Sequence, residues 1–319
     1  MTYAKLDASG LPPIALGTWA WGSGLNGGGM MFGGHVDEAE ILRTFNLALE
    51  SGFTVWDTAA VYGMGSSETL LAKCAAQNPD IIYSTKFTPA PFRPGAAMEK
   101  ALDRSLERLQ RPYIDIYWIH MPVNVQKWTT EIIPLVQKKK VKYVGLSNHT
   151  LPQLKAAQQI LNAAGIPLSA IQNHYSLLYR ASETTGVLAW SRENSIPFFA
   201  YMVLEQGVLT GRYTPGNPFP RFSNRGRSYP RRKLEKIVPL LAKIKAVAAK
   251  HRVEPSAVVI AWAIGKGTIP LLGVTKASQL QAPAKALHLT LTQEEIQMLE
   301  KCADSIAVQT KGVWEPAMR

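Results

Sequence analysis

Short apolar runs and longer amphipathic stretches alternate along the whole chain. The runs are "IALGT", "FTVWDT", "IIYSTKF", "IDIYWIH", "KYVGLSN", "SAIQNH", "IPFFAYM" and "TIPLLGV". Their length and their β-branched and aromatic content predict buried strands. The stretches between them include "DEAEILRTFNLALESG", "GAAMEKALDRSLERLQR", "LPQLKAAQQILNAAG" and "KLEKIVPLLAKIKAVAAKH". Each repeats apolar positions at helical spacing. Asp37 followed by Glu40 reads as a capping box, and Gly52 and Gly165 read as helix stops. Eight strands alternating with helices, at intervals of roughly 30 residues, imply parallel pairing with right-handed crossovers. Eight such units close into a (β/α)8 TIM barrel, with a doubly wound open sheet as the alternative. No linker or shift of composition divides the chain, so a single domain over residues 1–319 is expected. The main irregular segment runs from Gly207 to Arg232, rich in Gly, Pro and Arg.

Composition narrows the class. At 319 residues and 46% apolar content the chain can bury a large core. No apolar run approaches the roughly 20 residues of a membrane span. The start, "MTYAKLDASGLPP", lacks the basic-then-apolar pattern of a signal peptide, so a soluble, cytoplasmic protein is expected. Cys74 and Cys302 lie far apart in helix-like segments and read as small hydrophobic residues rather than a disulfide. The formal charge of +12 is partly local, in "RFSNRGRSYPRRKLEK" from Arg221 to Lys236. A solvated basic loop is the first reading of that run. No nucleic-acid module signature accompanies it, so no nucleic-acid partner is expected. The sequence leaves the oligomeric state open.

"GSGLNG" from Gly22 to Gly27 spells G-x-G-x-x-G, the dinucleotide fingerprint. In that motif the helix begins among the glycines and faces a pyrophosphate. Here the glycines continue and the next helix is expected only near Asp37, so the segment reads as a loop beside a barrel mouth.

In such a barrel the chemistry sits at the C-terminal ends of the strands. The second strand ends at Asp57, with Tyr62 in the loop that follows. The third ends at Lys86, the fourth at His120, the fifth at Ser147 and Asn148. The sixth ends at Gln172 and Asn173, the seventh at Tyr201, and the eighth runs into "GVTK". Side-chain alternation puts Phe53, Val55 and Asp57 on one face, and likewise Ile82, Ser84 and Lys86, and Ile114, Ile116, Trp118 and His120. Each series is apolar below and polar at the mouth. Any one of these polar residues alone reads as a cap or a solvated group; four at matching strand ends point to a site. A tyrosine near pKa ~10 is a poor proton donor at neutral pH, and a neighbouring ammonium lowers it. The ammonium in turn needs a countercharge. Asp57 would hold Lys86 charged, Lys86 would tune Tyr62, and His120 would orient a carbonyl oxygen beside the phenol. No metal enters this scheme. A hydride source is still required, and a nicotinamide cofactor is the usual one.

These residues resemble the aldo-keto reductase superfamily across nearly the whole chain, from "ALGTW" through "WDTAAVYG", "STK", "DIYWIHMP", "VGLSNH", "IQNHYSLL" and "LEQGVLTGRY" to "LLGVTKASQL". The resemblance implies a (β/α)8 barrel that reduces aldehydes or ketones, usually with NADPH. It makes Asp57, Tyr62, Lys86 and His120 the catalytic tetrad, with Tyr62 as general acid. It gives Ser147, Asn148 and Gln172 to the nicotinamide carboxamide and Tyr201 to stacking on the nicotinamide ring. The loop over the pyrophosphate would contain Leu204, Gln206, Gly207, Leu209, Gly211 and Arg212. Gly273, Val274, Thr275, Lys276 and Gln279 would surround the adenosine 2′-phosphate. The chain departs from the family at Met202, Val203, Leu204, Glu205 and Gln206, where many members carry Ser-Pro-Leu. It departs again at Gln279, Ala282 and Pro283, where many show Arg and then Glu-Asn. Those changes keep NADH in play, although Lys276 and Arg212 can pair with a 2′-phosphate. Trp19 and Trp21, with Met30, Met31, Phe32 and Trp314, are expected to wall a pocket for a small carbonyl substrate. The alternative function on the same scaffold is a cofactor-sensing regulatory subunit resembling the potassium-channel β subunits.

Overall fold

The computed structural model describes residues 3–33, 37–78, 80–92, 94, 96–308, 310–312 and 315, with backbone only at 30 and 31. All eight strands form within two residues of the expected runs: β1 Ala15–Gly17, β2 Val55–Asp57, β3 Ile82–Phe87, β4 Ile114–Ile119, β5 Val141–Ser147, β6 Leu168–His174, β7 Phe198–Tyr201 and β8 Ile269–Gly273. They pair in parallel, in chain order, and β8 returns to β1 to close the barrel. The open-sheet alternative is excluded.

Two apolar layers result. Inside the barrel, Ala15, Val55, Ile116, Trp118, Ala170 and Phe199 pack together, with Leu6 and Leu11 closing the end opposite the mouth. Phe53, just before β2, and Ile114, at the start of β4, belong instead to the larger layer between sheet and helices. Gly145 on β5 makes room for Trp118, since a Cβ there would lie 2.3 Å from the indole Cε3. The Trp118 Nε1–H then donates to Ser84 Oγ at 2.6 Å.

The helices bury the stripes their spacing predicts. Ala97–Leu109 buries Met98, Leu102, Ser105 and Leu109, and Leu151–Ala163 buries Leu154, Ala157 and Leu161. The segment Pro255–Gly265 is apolar all round because Arg231–His251 covers its outer side. Gly52 and Gly165 follow their helices in the left-handed region, at φ 81° and 71°. Two local expectations need correction. The Asp37 carboxylate caps Ala39 N at 2.9 Å, but Glu40 does not close the box. Its carboxylate is drawn away by Arg43 at 2.6 Å and by Ala277 N at 3.0 Å. The glycine-rich segment also carries a short helix, Gly28–Phe32, well before Asp37. Cys74 and Cys302 are free thiols. Among the described residues, no helix is long and apolar enough to cross a membrane.

Candidate active site

Parallel register delivers the polar strand ends to one mouth. Asp57 ends β2 and lies opposite Ser84 on β3; Lys86 follows two residues on, opposite Trp118 of β4. Asp57 and Lys86 are 2% and 1% exposed, so their ion pair is fully buried. Asp57 Oδ1 also accepts from Ser84 Oγ at 2.7 Å and from Gln172 Nε2 at 3.3 Å. Lys86 Nζ donates to Asp57, to Thr58 O at 2.7 Å and to the Tyr62 hydroxyl at 3.3 Å. Burial pulls Lys86 down, but Asp57 and the Tyr62 oxygen outweigh it, and the ammonium is held above its ordinary pKa.

Tyr62 is aimed by a kinked turn, Tyr62–Gly65, whose Gly63 and Met64 are left-handed. A Cβ on Gly63 would meet Ser66 Oγ at 2.2 Å and Ser23 O at 2.6 Å, so this turn requires glycine. Ser66 Oγ accepts from Ser23 N at 2.9 Å and ties the turn to the loop after β1. The phenol differs from the expectation in one respect. Burial raises its pKa and Asp57 adds to that; Lys86 lowers it, but by less, so the net direction is upward. The phenol is therefore held protonated, the state a proton donor needs.

His120 lies edge-on to Tyr62, ring centroids 6.4 Å apart. Its Nδ1 is 3.2 Å from Thr88 Oγ1. Burial, assisted by Lys86, pushes its pKa down to about 3, so the imidazole is neutral at ordinary pH. Trp19 stacks on Tyr62 at 5.6 Å, and Phe32 meets Trp19 edge-on at 5.1 Å. A buried carboxylate, an ammonium, a protonated phenol and a neutral imidazole thus converge beside an aromatic wall.

A profile of the Aldo/keto reductase family matches residues 13–304. The chain belongs to the aldo/keto reductase family. It is accordingly an NAD(P)H-dependent oxidoreductase acting on carbonyl groups. Pyridoxal reductase, chloroplastic, of Arabidopsis thaliana is 30% identical, over 94% of this chain and 85% of its own. The L-glyceraldehyde 3-phosphate reductase of Escherichia coli O157:H7 is 28% identical, over 94% and 92%. The glycerol dehydrogenase AKR11B4 from Gluconobacter oxydans superposes with a TM-score of 0.79 at 26% identity, covering 95% of this chain and 94% of that one. An aldo/keto reductase from Klebsiella pneumoniae, solved with NADP and acetate, shares the fold at a TM-score of 0.72 and 23% identity, over 97% and 93%.

The other expected positions of this aldo/keto reductase differ in what they can offer a ligand. Ser147 and Gln172 lie at the mouth with the right chemistry for a carboxamide. Asp57 orients the Gln172 amide through its NH2, which directs the amide oxygen elsewhere, and the Ser147 hydroxyl accepts from Asn148 at 3.1 Å while keeping its own proton to give. Asn148 is engaged within the protein. It donates to His120 O at 2.9 Å and accepts from the Tyr201 hydroxyl at 2.6 Å, so it holds Tyr201 in place. In the turn Glu205–Thr210, Gln206 and Gly207 are half-buried and left-handed, and Gly211 and Arg212 follow, half-buried and exposed respectively. Leu204 is half-buried, but the Leu209 side chain is fully buried in the core and can offer a ligand only its backbone.

At the β8 end, Gly273 and Lys276 are exposed and Thr275 half-exposed. Gln279 Oε1 accepts from Thr275 N at 2.7 Å and Lys276 N at 3.1 Å, so Gln279 shapes this turn. Trp21 is 2% exposed, packs on Trp56 at 5.1 Å and donates to Val274 O at 2.6 Å, so it pins the β1 loop to the β8 loop. Trp314 and the side chains of Met30 and Met31 lie outside the described residues.

Residues outside the sequence-based set also shape the site. Ser84 bridges Trp118 to Asp57. Arg43 pairs with Glu40 at the corner where Lys276 also acts on that carboxylate. Thr88 fixes His120. In the basic run, the Arg225 guanidinium donates to Phe32 O and lies 5.2 Å from the Phe219 ring centroid, so that cation serves an internal contact.

Proposed function

We propose that the protein is a carbonyl reductase that converts an aldehyde or ketone to the alcohol with NADPH, using Tyr62 as general acid. The observation that carries this reading is the unbroken chain Asp57–Lys86–Tyr62 meeting His120 at the mouth. Ser147 and Gln172 would hold the carboxamide and Tyr201 the ring of the nicotinamide, and the bound cofactor supplies the hydride. Tyr62 gives its proton to the carbonyl oxygen as negative charge develops there, and Lys86, fixed by Asp57, stabilises the phenolate left behind. With Thr88 donating to Nδ1, His120 carries its proton on Nε2 and donates it to the same carbonyl oxygen as a hydrogen bond. The aromatic pair Trp19 and Phe32 favours an apolar or aromatic substituent on the substrate. Lys276 and Arg43 support a preference for the 2′-phosphate of NADPH over NADH. The same reading places the enzyme in the cytoplasm, in keeping with two unpaired thiols.

Tyr62→Phe is expected to lower kcat for a simple aldehyde by about 10²–10⁴-fold, the usual contribution of a general acid. Tryptophan fluorescence should report unchanged NADPH affinity in that variant. Turnover that survives in Tyr62→Phe would overturn the assignment. Lys276→Ala should weaken NADPH binding without weakening NADH binding. An equal loss for both would remove Lys276 from the 2′-phosphate site.

A further inference from the structure

Behind Tyr201 lies a buried charge cluster with no part in the proton transfer just described. His174 ends β6, on the same strand face as Gln172 and in register with Tyr201 of β7. The His174 ring stacks on Tyr179 at 4.4 Å and on Tyr201 at 5.5 Å, with interplanar angles of 24° and 26°. Its Nε2 is 2.9 Å from Glu205 Oε1, and its Nδ1 is 3.0 Å from both carboxylate oxygens of Glu315. Glu205, fully buried, also accepts from Ser176 and Tyr229 and from Thr310 Oγ1, the last at 2.9 Å.

The geometry fixes the charges. Every partner of Glu205 is a donor, so Glu205 is a carboxylate. A neutral imidazole carries one N–H, yet both ring nitrogens of His174 face carboxylates, so His174 is an imidazolium. Thr310 and Glu315, distant in sequence from the rest of the cluster, are thereby tied to the support of Tyr201.

We infer that Glu315 is a positioning residue: through His174, and directly at the Tyr201 hydroxyl, it locks the ring of Tyr201 and so takes part in the nicotinamide-stacking surface. This rests on the reading of Tyr201 as the stacking partner of the nicotinamide. The lock has a pH limit. Burial works against the imidazolium, but Glu205 and then Glu315 outweigh it and push His174 up to about 9. Its folded value lies above the ordinary 6.5, so the lock is complete below about 6.5 and is lost as pH rises through about 9. The tyrosines and Glu205 facing the cluster hold their charge state over that window. Burial raises Tyr201 and Tyr229 well above the ordinary tyrosine value and Tyr179 to about 12, while His174 and the hydroxyl donors hold Glu205 low against its burial. Lys233, lowered by burial, lies with its ammonium 4.6 Å from the Tyr229 ring centroid and near Glu205.

The test is an NMR titration of the six histidines in the full chain, labelled at Cε1, with His174→Gln used for assignment. NADPH dissociation constants are measured in parallel. In the wild type, the His174 signal should stay at the imidazolium position through pH 8 and titrate near 9; in Glu315→Gln the midpoint should fall by about one unit or more. Glu315→Gln and Glu315→Ala should weaken NADPH binding about fivefold, the order of magnitude for ordering one side chain on binding. A wild-type His174 that is neutral at pH 8 overturns the inference. So does wild-type NADPH affinity in both Glu315 variants. The titration needs no turnover, and Tyr62→Phe should leave the His174 signal in place, so loss of the reductase reading and loss of the lock are separable. If Glu315→Ala does not fold, the near-isosteric Glu315→Gln decides.

Discussion

Replacing Lys86 by Met keeps the stem of the side chain and removes its charge. It leaves Asp57, 2% exposed, with Ser84 and Gln172 as donors and no countercharge. Breaking a buried ion pair from one side costs about 3–5 kcal/mol. A second estimate bounds the same quantity. Asp57 can escape its charge by protonating, and holding a carboxyl of ordinary pKa ~3.9 protonated at pH 7 costs about 4 kcal/mol, at ~1.4 kcal/mol per pH unit. At pH 5 the same route costs only about 1.5 kcal/mol. The sign follows from linkage: without a countercharge the buried site favours the neutral acid, so stability is lost as pH rises. Urea unfolding followed by the eight tryptophans should show Lys86→Met about 4 kcal/mol below wild type at pH 7 and about 1.5 kcal/mol below at pH 5. Adding Asp57→Asn removes the stranded charge and should recover about 2 kcal/mol or more at pH 7. A deficit that does not shrink between pH 7 and 5, or a double variant no more stable than the single one, would refute the account of Asp57 and Lys86 as a mutually dependent buried pair.

Gly145→Ala should destabilise by about 1–3 kcal/mol, as overpacking does, and should also lower kcat, because Trp118 must move off Ser84, which then loses the indole donor that holds its hydroxyl towards Asp57; thermal unfolding and aldehyde kinetics measure both. Burial pushes the Cys74 thiol up to about 11, so Ellman's reagent at pH 8 should titrate no more than one of the two thiols before denaturation and both after it. At Glu295, burial is outweighed by Lys250, the Thr292 N–H and His251, which hold the carboxyl down to about 2. Its contribution is present above the ordinary carboxyl pKa and lost as pH falls through about 2, so Glu295→Gln should cost about 1.5–3 kcal/mol at pH 7 and much less at pH 2, read by urea unfolding at each pH.

The strand ends were legible because two-residue alternation and the parallel register are rigid rules. Once Val55, Ile116 and Trp118 face inward, Asp57, Lys86 and His120 reach the mouth with little freedom left. Turns obey no such rule. Trp19 and Trp21 follow β1 two residues apart, yet one stacks on Tyr62 and the other inserts beneath Val274 O, a choice made by a 3-10 turn and by packing on Trp56. The helix Gly28–Phe32 was hidden by its glycines, which are poor helix formers. Glu40 fits a capping box in sequence but finds better partners in Arg43 and in Ala277, far along the chain. His174, Glu205 and Glu315 leave no local signal at all, because their relation exists only after the barrel has closed. Lys86 was expected to dominate Tyr62, but sequence shows which charges are near and not how much water is lost, and burial won.

Closure also bears on how the protein is made. Ala15, Leu16 and Gly17 pair with Leu271, Leu272 and Gly273, so the first strand to leave the ribosome waits for the last. Parallel pairing across nearly the whole chain is a slow, high-contact-order search. Until it succeeds, one edge of β1 stays unpaired, open to adhesion between nascent chains. Expression at low temperature, or with a chaperone that shields such edges, should therefore raise the soluble yield more than any change at the active site.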